Sequence, residues 1–394
     1  MKILLVTPYF VPAWTFGGPV KLVYELAVRL QAQGHQVTVA TTDALTAQRR
    51  HDKQMDTMSG VEVIYFRNLN NWLAARMNAY IPLGFSSWCK KHLAEYDVVH
   101  CHDLFTWLNV VISREAPKRN IPFLIQPHGA LNAVRVKSRM SWLKNMYLSM
   151  FRSVLARASI IVTSTTGERD QEIGTIDPAY LKKTQVVTNG LDVSQLQMPD
   201  RQSPVRKEFG ITNDQPMILY FGRLQYIKGL DISLRALALV KDIPWKYVIV
   251  GHDEQVVTEL KTLAINLGIA DRVFFVGSTF GARMKAILAA ADLFLFNSRS
   301  EGLPMAVLDA CAAGLPSILS ADCHVPEVGE FGAGIVLEHN TPEQTAEALR
   351  KYFLHPEHIP AKQQQCHEVI RQVFNLDKVA QRYVSLYQQS VDAV

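Results

Sequence analysis

This chain of 394 residues is short of several things, and each shortage removes a class of protein. Its five cysteines (Cys89, Cys101, Cys311, Cys323 and Cys366) are scattered, with no C-x-x-C pair. That excludes a disulfide scaffold and a zinc ribbon, and leaves the expectation of reduced thiols in the cytoplasm. No apolar run reaches the roughly 18 residues that a membrane span needs. The opening "MKILLVTPYFVP" holds too short an apolar run for a secretory leader and reads as a first strand. Repeats at a solenoid period and low-complexity tracts are missing as well. The dinucleotide fingerprint G-x-G-x-x-G does not occur, which argues against a nicotinamide oxidoreductase.

What is present is the balance of a globular enzyme, 48% hydrophobic and 20% charged. The length suggests about two domains. The charge is lopsided: residues 1–200 hold 22 Lys and Arg against 15 Asp and Glu, a net of +7, whereas the rest carries −2, for +5 in all. The basic excess peaks between Arg114 and Arg157, with nine bases and one acid. Its middle, "VKSRMSWLKNMYLSMFRSVLARA", interleaves bases with Trp142, Leu143, Met146, Tyr147, Leu148 and Phe151. Such a segment suits a helix lying on an anionic membrane surface; the plainer reading is a surface helix whose apolar stripe faces the core.

Short β-branched runs alternate with helix-period segments, the signature of parallel sheets with crossover helices. The first half offers "KILLVTP", "QVTVATT", "VEVIYF", "DVVHCHD", "PFLIQPH", "SIIVTST" and "TQVVTNG". The second offers "PMILYFG", "KYVIVGH", "RVFFVGS", "DLFLFNS", "PSILS" and "GIVLE". Two doubly wound α/β domains in series are expected: residues 1–193, a turn-rich linker at 194–216, residues 217–370, and a final amphipathic helix within 371–394 that could return to the first domain. Ligands of such sheets bind at the carboxyl ends of strands, where Gly17, Gly18, His128, Asn189, Gly222, Arg223, Gly251, Gly277 and Glu301 gather.

Three stretches carry chemistry. In "ILYFGRLQYIKGLDISLRAL", Arg223 and Lys228 follow a strand and precede a helix, a guanidinium fork and a point charge suited to a diphosphate. In "NSRSEGLPMAVLDACAAGLP", Pro304 reads as the first helical residue. The amides from Leu303 to Met305 are then open to phosphate oxygens, with Glu301 before the helix and Asp309 inside it free to accept bonds from hydroxyls; the bland alternative is a carboxylate facing the helix dipole and a solvated one. In "QPHGALNAV", His128 ends a strand where it could contact substrate, though most such histidines are structural. The pair in "HCHD" (His100 and His102) shares a strand face but lacks the further ligands of a zinc site.

These stretches, with "FGGPVKLVYELAVRL", "VVTNGLD" and "IVGHDE", resemble the retaining glycosyltransferases of family four, the group 1 enzymes of the GT-B superfamily, in order and along nearly the whole chain. The resemblance implies two Rossmann-like domains facing across a cleft, the first binding acceptor and the second a nucleotide-sugar. It implies that Gly18 lies in the loop that closes on the donor phosphates, that His128 lines the catalytic centre, and that Arg223 and Lys228 grip the diphosphate. Glu301, first acid of an E-x7-E motif, would bond the sugar hydroxyls. The second acid here is Asp309, one methylene shorter, so the helix must come closer to the ribose or a water must bridge. Gly251, Val276, Gly302, Leu303 and Pro304 complete the implied donor set. Gly-Leu-Pro after Glu301 replaces the commoner Gly-Phe-Gly and leaves one amide fewer.

The expected activity is transfer from a UDP- or GDP-sugar to a glycan, lipid-linked, in bacterial surface polysaccharide assembly, with retention of configuration. No cofactor or metal is expected, in keeping with the absence of D-x-D. Nor is a nucleic-acid partner; a cytoplasmic location is, peripheral at the inner face of the plasma membrane. The alternatives are a non-catalytic nucleotide-sugar or polysaccharide binder, or another GT-B enzyme such as an epimerase. A phosphorylase would need a pyridoxal-binding lysine, and no convincing one is evident.

Overall fold

The computed structural model describes residues 1–77, 80–129, 151–197, 200, 203–212, 214–253 and 255–394. They form two compact units, one of residues 1–190 with 376–394, the other of residues 191–375.

The first unit is built on an eight-stranded sheet in the order β3-β4-β2-β1-β5-β6-β7-β8. Its strands are β1 (Lys2–Val6), β2 (Gln36–Thr42), β3 (Met55–Met58), β4 (Val61–Phe66), β5 (Val98–His102), β6 (Phe123–Gln126), β7 (Ile160–Thr163) and β8 (Thr184–Val186). All neighbours run parallel except β3 against β4. Central strands buried on both faces read as unbroken apolar runs, as in "ILLV" of β1. β3, "MDTM", sits at the edge with partly exposed residues and has no such run, so its sequence gives no strand signal.

The helix Gly18–Ala32 turns Val20, Val23, Leu26, Ala27 and Leu30 inward at helical spacing. The last helix, Leu376–Asp392, belongs to this unit and buries Val379, Ala380, Tyr383, Leu386 and Tyr387. Arg29 of the former pairs with Asp377 of the latter at 3.3 Å.

The second unit carries a six-stranded sheet, β11-β10-β9-β12-β13-β14, parallel throughout. The strands are β9 (Met217–Phe221), β10 (Lys246–Val250), β11 (Val273–Gly277), β12 (Leu293–Phe296), β13 (Ser317–Ser320) and β14 (Gly334–Leu337). Here the expected linker departs from the structure. Within 194–216, the helix Pro204–Glu208 buries Val205 and Arg206, and Ile211 joins the core. Arg206, 1% exposed, donates to Asp292 Oδ2 (3.0 Å) and to the carbonyls of Ala290, Thr212 and Gln215. One guanidinium therefore fixes a segment that has no apolar period of its own.

Among the described residues no helix is long and apolar enough to cross a membrane. Most of the basic, aromatic stretch lies outside the described residues; at its end Phe151, Val154 and Leu155 are buried in the first unit's core.

Candidate active site

In a doubly wound sheet, the strand order reverses at one point, and the loops leaving the two strands there diverge to open a crevice. In the second unit that point falls between β9 and β12, which pair through Leu293–Ile218 and Phe294–Leu219. The loop after β9 carries Arg223 and Lys228; the loop after β12 carries Glu301 to Pro304. Topology brings together two motifs that lie some seventy residues apart.

The two loops are stapled. Gly229, at φ 65°, passes so close to β12 that a Cβ would lie 1.9 Å from the Asn297 carbonyl oxygen, so only glycine fits. Arg299 forks onto both oxygens of Asp231 (2.9 and 2.7 Å) and lies over the Tyr226 ring at 4.1 Å. At the centre Lys228 Nζ meets Glu301 Oε1 at 2.5 Å, both residues buried. Ser298 Oγ donates to the same oxygen (2.6 Å), and the Lys228 ammonium lies 5.6 Å from the Phe296 ring centroid. The backbone of Glu301 is held too: its N–H donates to the Asp322 carbonyl (3.0 Å), and its carbonyl accepts from His324 Nδ1 (3.0 Å). Asn340 Nδ2 donates to the carbonyls of Asn297 and Ser298, and Ser320 Oγ to that of Ser298. A buried pair so fully hydrogen-bonded holds its charges in place before any ligand arrives.

The helix after Glu301 runs Met305–Ala312. Pro304 is its N-cap, in extended conformation (ψ 114°), so the helix begins one residue later than its sequence suggests. The Val307 amide donates to the Pro304 carbonyl (3.0 Å), while the amides of Met305 and Ala306 before it have no carbonyl behind them within the helix and suit an anion. Gly302 and Leu303 are half-buried beside them, and Asp309 stands half-buried on the second turn. Arg223 is exposed, and its carbonyl accepts from Tyr220 Oη (2.9 Å). Gly251 follows β10, close against the Gly222 carbonyl, and its N–H donates to the Gly277 carbonyl. Val276 is half-buried on edge strand β11.

In the first unit the reversal falls between β1 and β5. Gly17, at φ 81°, caps the helix that starts at Gly18. Past β5, Asp103 (φ 64°) accepts from Tyr9 Oη (3.2 Å); past β6 comes His128 (φ 54°). Such conformations are uncommon outside glycine and concentrate at functional sites. The turn at His128 is held from behind by Glu168, whose carboxylate accepts from the amides of Gly129 and Ser164, both at 2.7 Å.

His128 Nε2 lies 3.1 Å from His102 Nδ1, and the His102 ring packs 4.0 Å from that of His100. His100 Nδ1 meets Tyr387 Oη at 2.8 Å, while Tyr383 Oη donates to Gln126 Oε1 at 2.9 Å. The "HCHD" histidines are thus tied to His128 and to the last helix. Burial pushes His128 down to about 4 and His100 to about 3, the latter helped by His128, and holds His102 well below the usual imidazole range. All three rings are neutral at physiological pH.

The sequence pattern pointed to Arg223, Lys228, Glu301 and His128, but not to Ser298, Arg299, His324 or Asn340, which act through contacts across the fold. Among the supporting residues only "HCHD" offered a visible signal, a shared strand face that falls short of a zinc site and does not itself point to His128.

Comparison with known proteins fits this geometry. The model described as "Glycosyl transferases group 1" matches residues 202–373, and "Glycosyltransferase Family 4" matches residues 16–195. The chain is 27% identical over 362 residues to a GDP-mannose:cellobiosyl-diphosphopolyprenol alpha-mannosyltransferase of Xanthomonas oryzae pv. oryzae, covering 90% of this chain and 88% of that protein. It is 30% identical over 207 residues to a D-inositol 3-phosphate glycosyltransferase of Mycobacteroides abscessus, covering 50% and 45%. Two solved structures share its fold at a TM-score of 0.76: sucrose-phosphate synthase of Thermosynechococcus elongatus (20% identical, 100% of both chains) and Anabaena HepE in complex with UDP (18% identical, 99% and 100%). The chain belongs to the group 1 glycosyltransferases of the GT-B superfamily. More particularly, it is a transferase that draws on a nucleotide-sugar donor.

Proposed function

We propose that the chain transfers a hexose from a GDP- or UDP-sugar to a lipid-linked glycan in surface polysaccharide assembly, with retention of anomeric configuration. The observation that carries this reading is the buried Lys228–Glu301 pair between the loops after β9 and β12, beside the start of the helix Met305–Ala312. A sugar diphosphate presents two chemistries a few ångströms apart, hydroxyls and charged oxygens. Glu301 has a carboxylate to accept from hydroxyls, while Lys228, Arg223 and the first-turn amides supply positive potential for the diphosphate. Asp309, one turn along, bonds the ribose directly or through a water.

In the mechanism these cations take up the charge that develops on the departing nucleoside diphosphate. A preorganised donor of this kind contributes about 3 kcal/mol at the transition state. The acceptor hydroxyl attacks the anomeric carbon on the face that the diphosphate leaves, forming the new C–O bond as the old one breaks. Its proton passes to a leaving phosphate oxygen, so protein cations serve where a metal ion would otherwise neutralise charge. The acceptor binds at the first unit's edge, around His128 and the Tyr9–Asp103 turn. Work on a polyprenol-linked acceptor, the kind named in the Xanthomonas relative, would call for a position at the cytoplasmic face of the plasma membrane.

Thermal shift with UDP, GDP, ADP and their sugar conjugates tests the donor. A ligand at a hundredfold over its dissociation constant adds about 2.7 kcal/mol. Stabilisation by one base that is lost in Arg223→Ala is the expected result; no shift with any nucleotide would overturn the donor assignment. The anomeric configuration of the product, read by NMR coupling constants, tests retention, and flotation with anionic liposomes tests membrane contact.

A further inference from the structure

His128 has two ring nitrogens, and the neutral ring carries one proton. Its Nε2 is 3.1 Å from His102 Nδ1, so one of the two atoms donates and the other accepts. Which one donates follows from the far side of His102. That residue is 1% exposed, and its Nε2 is buried with no hydrogen-bond partner. If His128 donated, neutral His102 would carry its proton on Nε2, leaving a buried N–H with nothing to receive it. If His102 donates from Nδ1, its Nε2 is instead a bare lone pair. Orphaned buried donors are rarer than under-satisfied acceptors, and in apolar surroundings each unmade bond is costly.

We propose that His102 is a positioning residue that fixes His128 in the Nδ1–H tautomer, so that His128 meets the substrate as a hydrogen-bond donor. No other hydrogen bond engages the His128 ring among the described residues, which leaves Nδ1–H for a ligand. The turn that carries the ring is held by Glu168, which accepts from the amide of Gly129 just beyond it. His102 in turn packs, tilted, against His100, which Tyr387 of the last helix anchors. The atom that His128 contacts is therefore an acceptor, an oxygen of a hydroxyl or a phosphate. A ring with its outward nitrogen already protonated does not take the acceptor's proton, consistent with a route to the leaving phosphate. This step rests on the reading of His128 as facing substrate; the tautomer itself does not.

The full-length protein labelled with 15N-histidine, studied by two-bond 1H–15N correlation near pH 7.5, reads the tautomer directly; His128→Gln identifies the signal. The expected pattern is a protonated Nδ1 and a bare Nε2, and a protonated Nε2 would overturn the proposal. Activity, as nucleoside diphosphate released on transfer, supplies the second reading. In His102→Asn an amide N–H takes the place of Nδ1–H, whereas His102→Leu has no donor. His102→Leu should lower kcat roughly tenfold, as for one lost hydrogen bond, with donor KM within about twofold, and His102→Asn should restore most of it. Wild-type kcat in His102→Leu would overturn the positioning role. Full activity in His128→Gln beside the expected tautomer would overturn only the substrate-facing reading.

Discussion

At the carboxyl end of β12 a lysine and a glutamate are buried against each other; along β5 and just past β6 three neutral imidazoles pack together instead, His100 and His102 buried and His128 half-buried. The two sheets reverse at equivalent points, β1–β5 and β9–β12, yet one site is built on a buried ion pair and the other centres on neutral rings. The difference matches what each edge is proposed to hold. A diphosphate brings charge that needs opposing charge already in place, whereas the hydroxyls of an acceptor need donors and acceptors of defined orientation. It also predicts different failures. Removing one partner at the charged edge strands its counterpart, while changing one ring at the neutral edge redirects a hydrogen bond.

The largest effect should come from cutting the chain after Asn375. The first unit then loses Tyr383 and Tyr387, which cover Gln126 and His100. Calorimetry should show the transition of residues 191–375 persisting and that of the first unit lost; two intact transitions would refute the dependence.

Next is Lys228→Ala. It leaves Glu301 buried without its cation, so the second unit should lose about 3–5 kcal/mol in urea unfolding. Donor-induced stabilisation should vanish as well. A loss of binding with unchanged stability would mean that the pair is more solvated than its burial indicates.

Arg223→Ala separates chemistry from folding. The side chain is exposed, so unfolding should shift by less than about 0.5 kcal/mol, while kcat falls on the order of a hundredfold. An unchanged kcat would remove Arg223 from the mechanism.

A pH slope should also mark the histidines of the first unit. The folded-state values of His128 and His100, about 4 and about 3, lie below the unfolded value of about 6.5. The unfolded chain therefore takes up protons first, and stability present above pH 6.5 is lost as pH falls toward 4. Each histidine held neutral contributes a slope of about 1.4 kcal/mol per pH unit over that window. The double variant His100→Leu/Tyr387→Phe should flatten the acid limb by about one such increment in urea melts; an unchanged limb would show that His100 titrates freely.

The strands were legible because central parallel strands must be apolar on both faces, and the donor motifs because loops at strand ends tolerate little but glycine, charge and turn formers. What the sequence hid was pairing at a distance. Arg206 lies in a stretch with no period, and its meaning comes from Asp292 and three carbonyls that no local pattern announces. Lys228 and Glu301 each suggested a ligand of its own; only the β9–β12 adjacency shows that they first answer each other. His102 visibly shared a strand face with His100, but alternation on a strand does not reveal what lies across from it.

The return of the last helix to the first unit also has a consequence for biosynthesis. Residues 191–375 form a contiguous unit, complete as soon as they emerge from the ribosome, whereas residues 1–190 must wait for 376–394. Domains that fold as units during synthesis usually finish in the order they are made. Here the unit that begins first finishes last, and its buried histidines stay without their tyrosines until residues 376–394 have emerged.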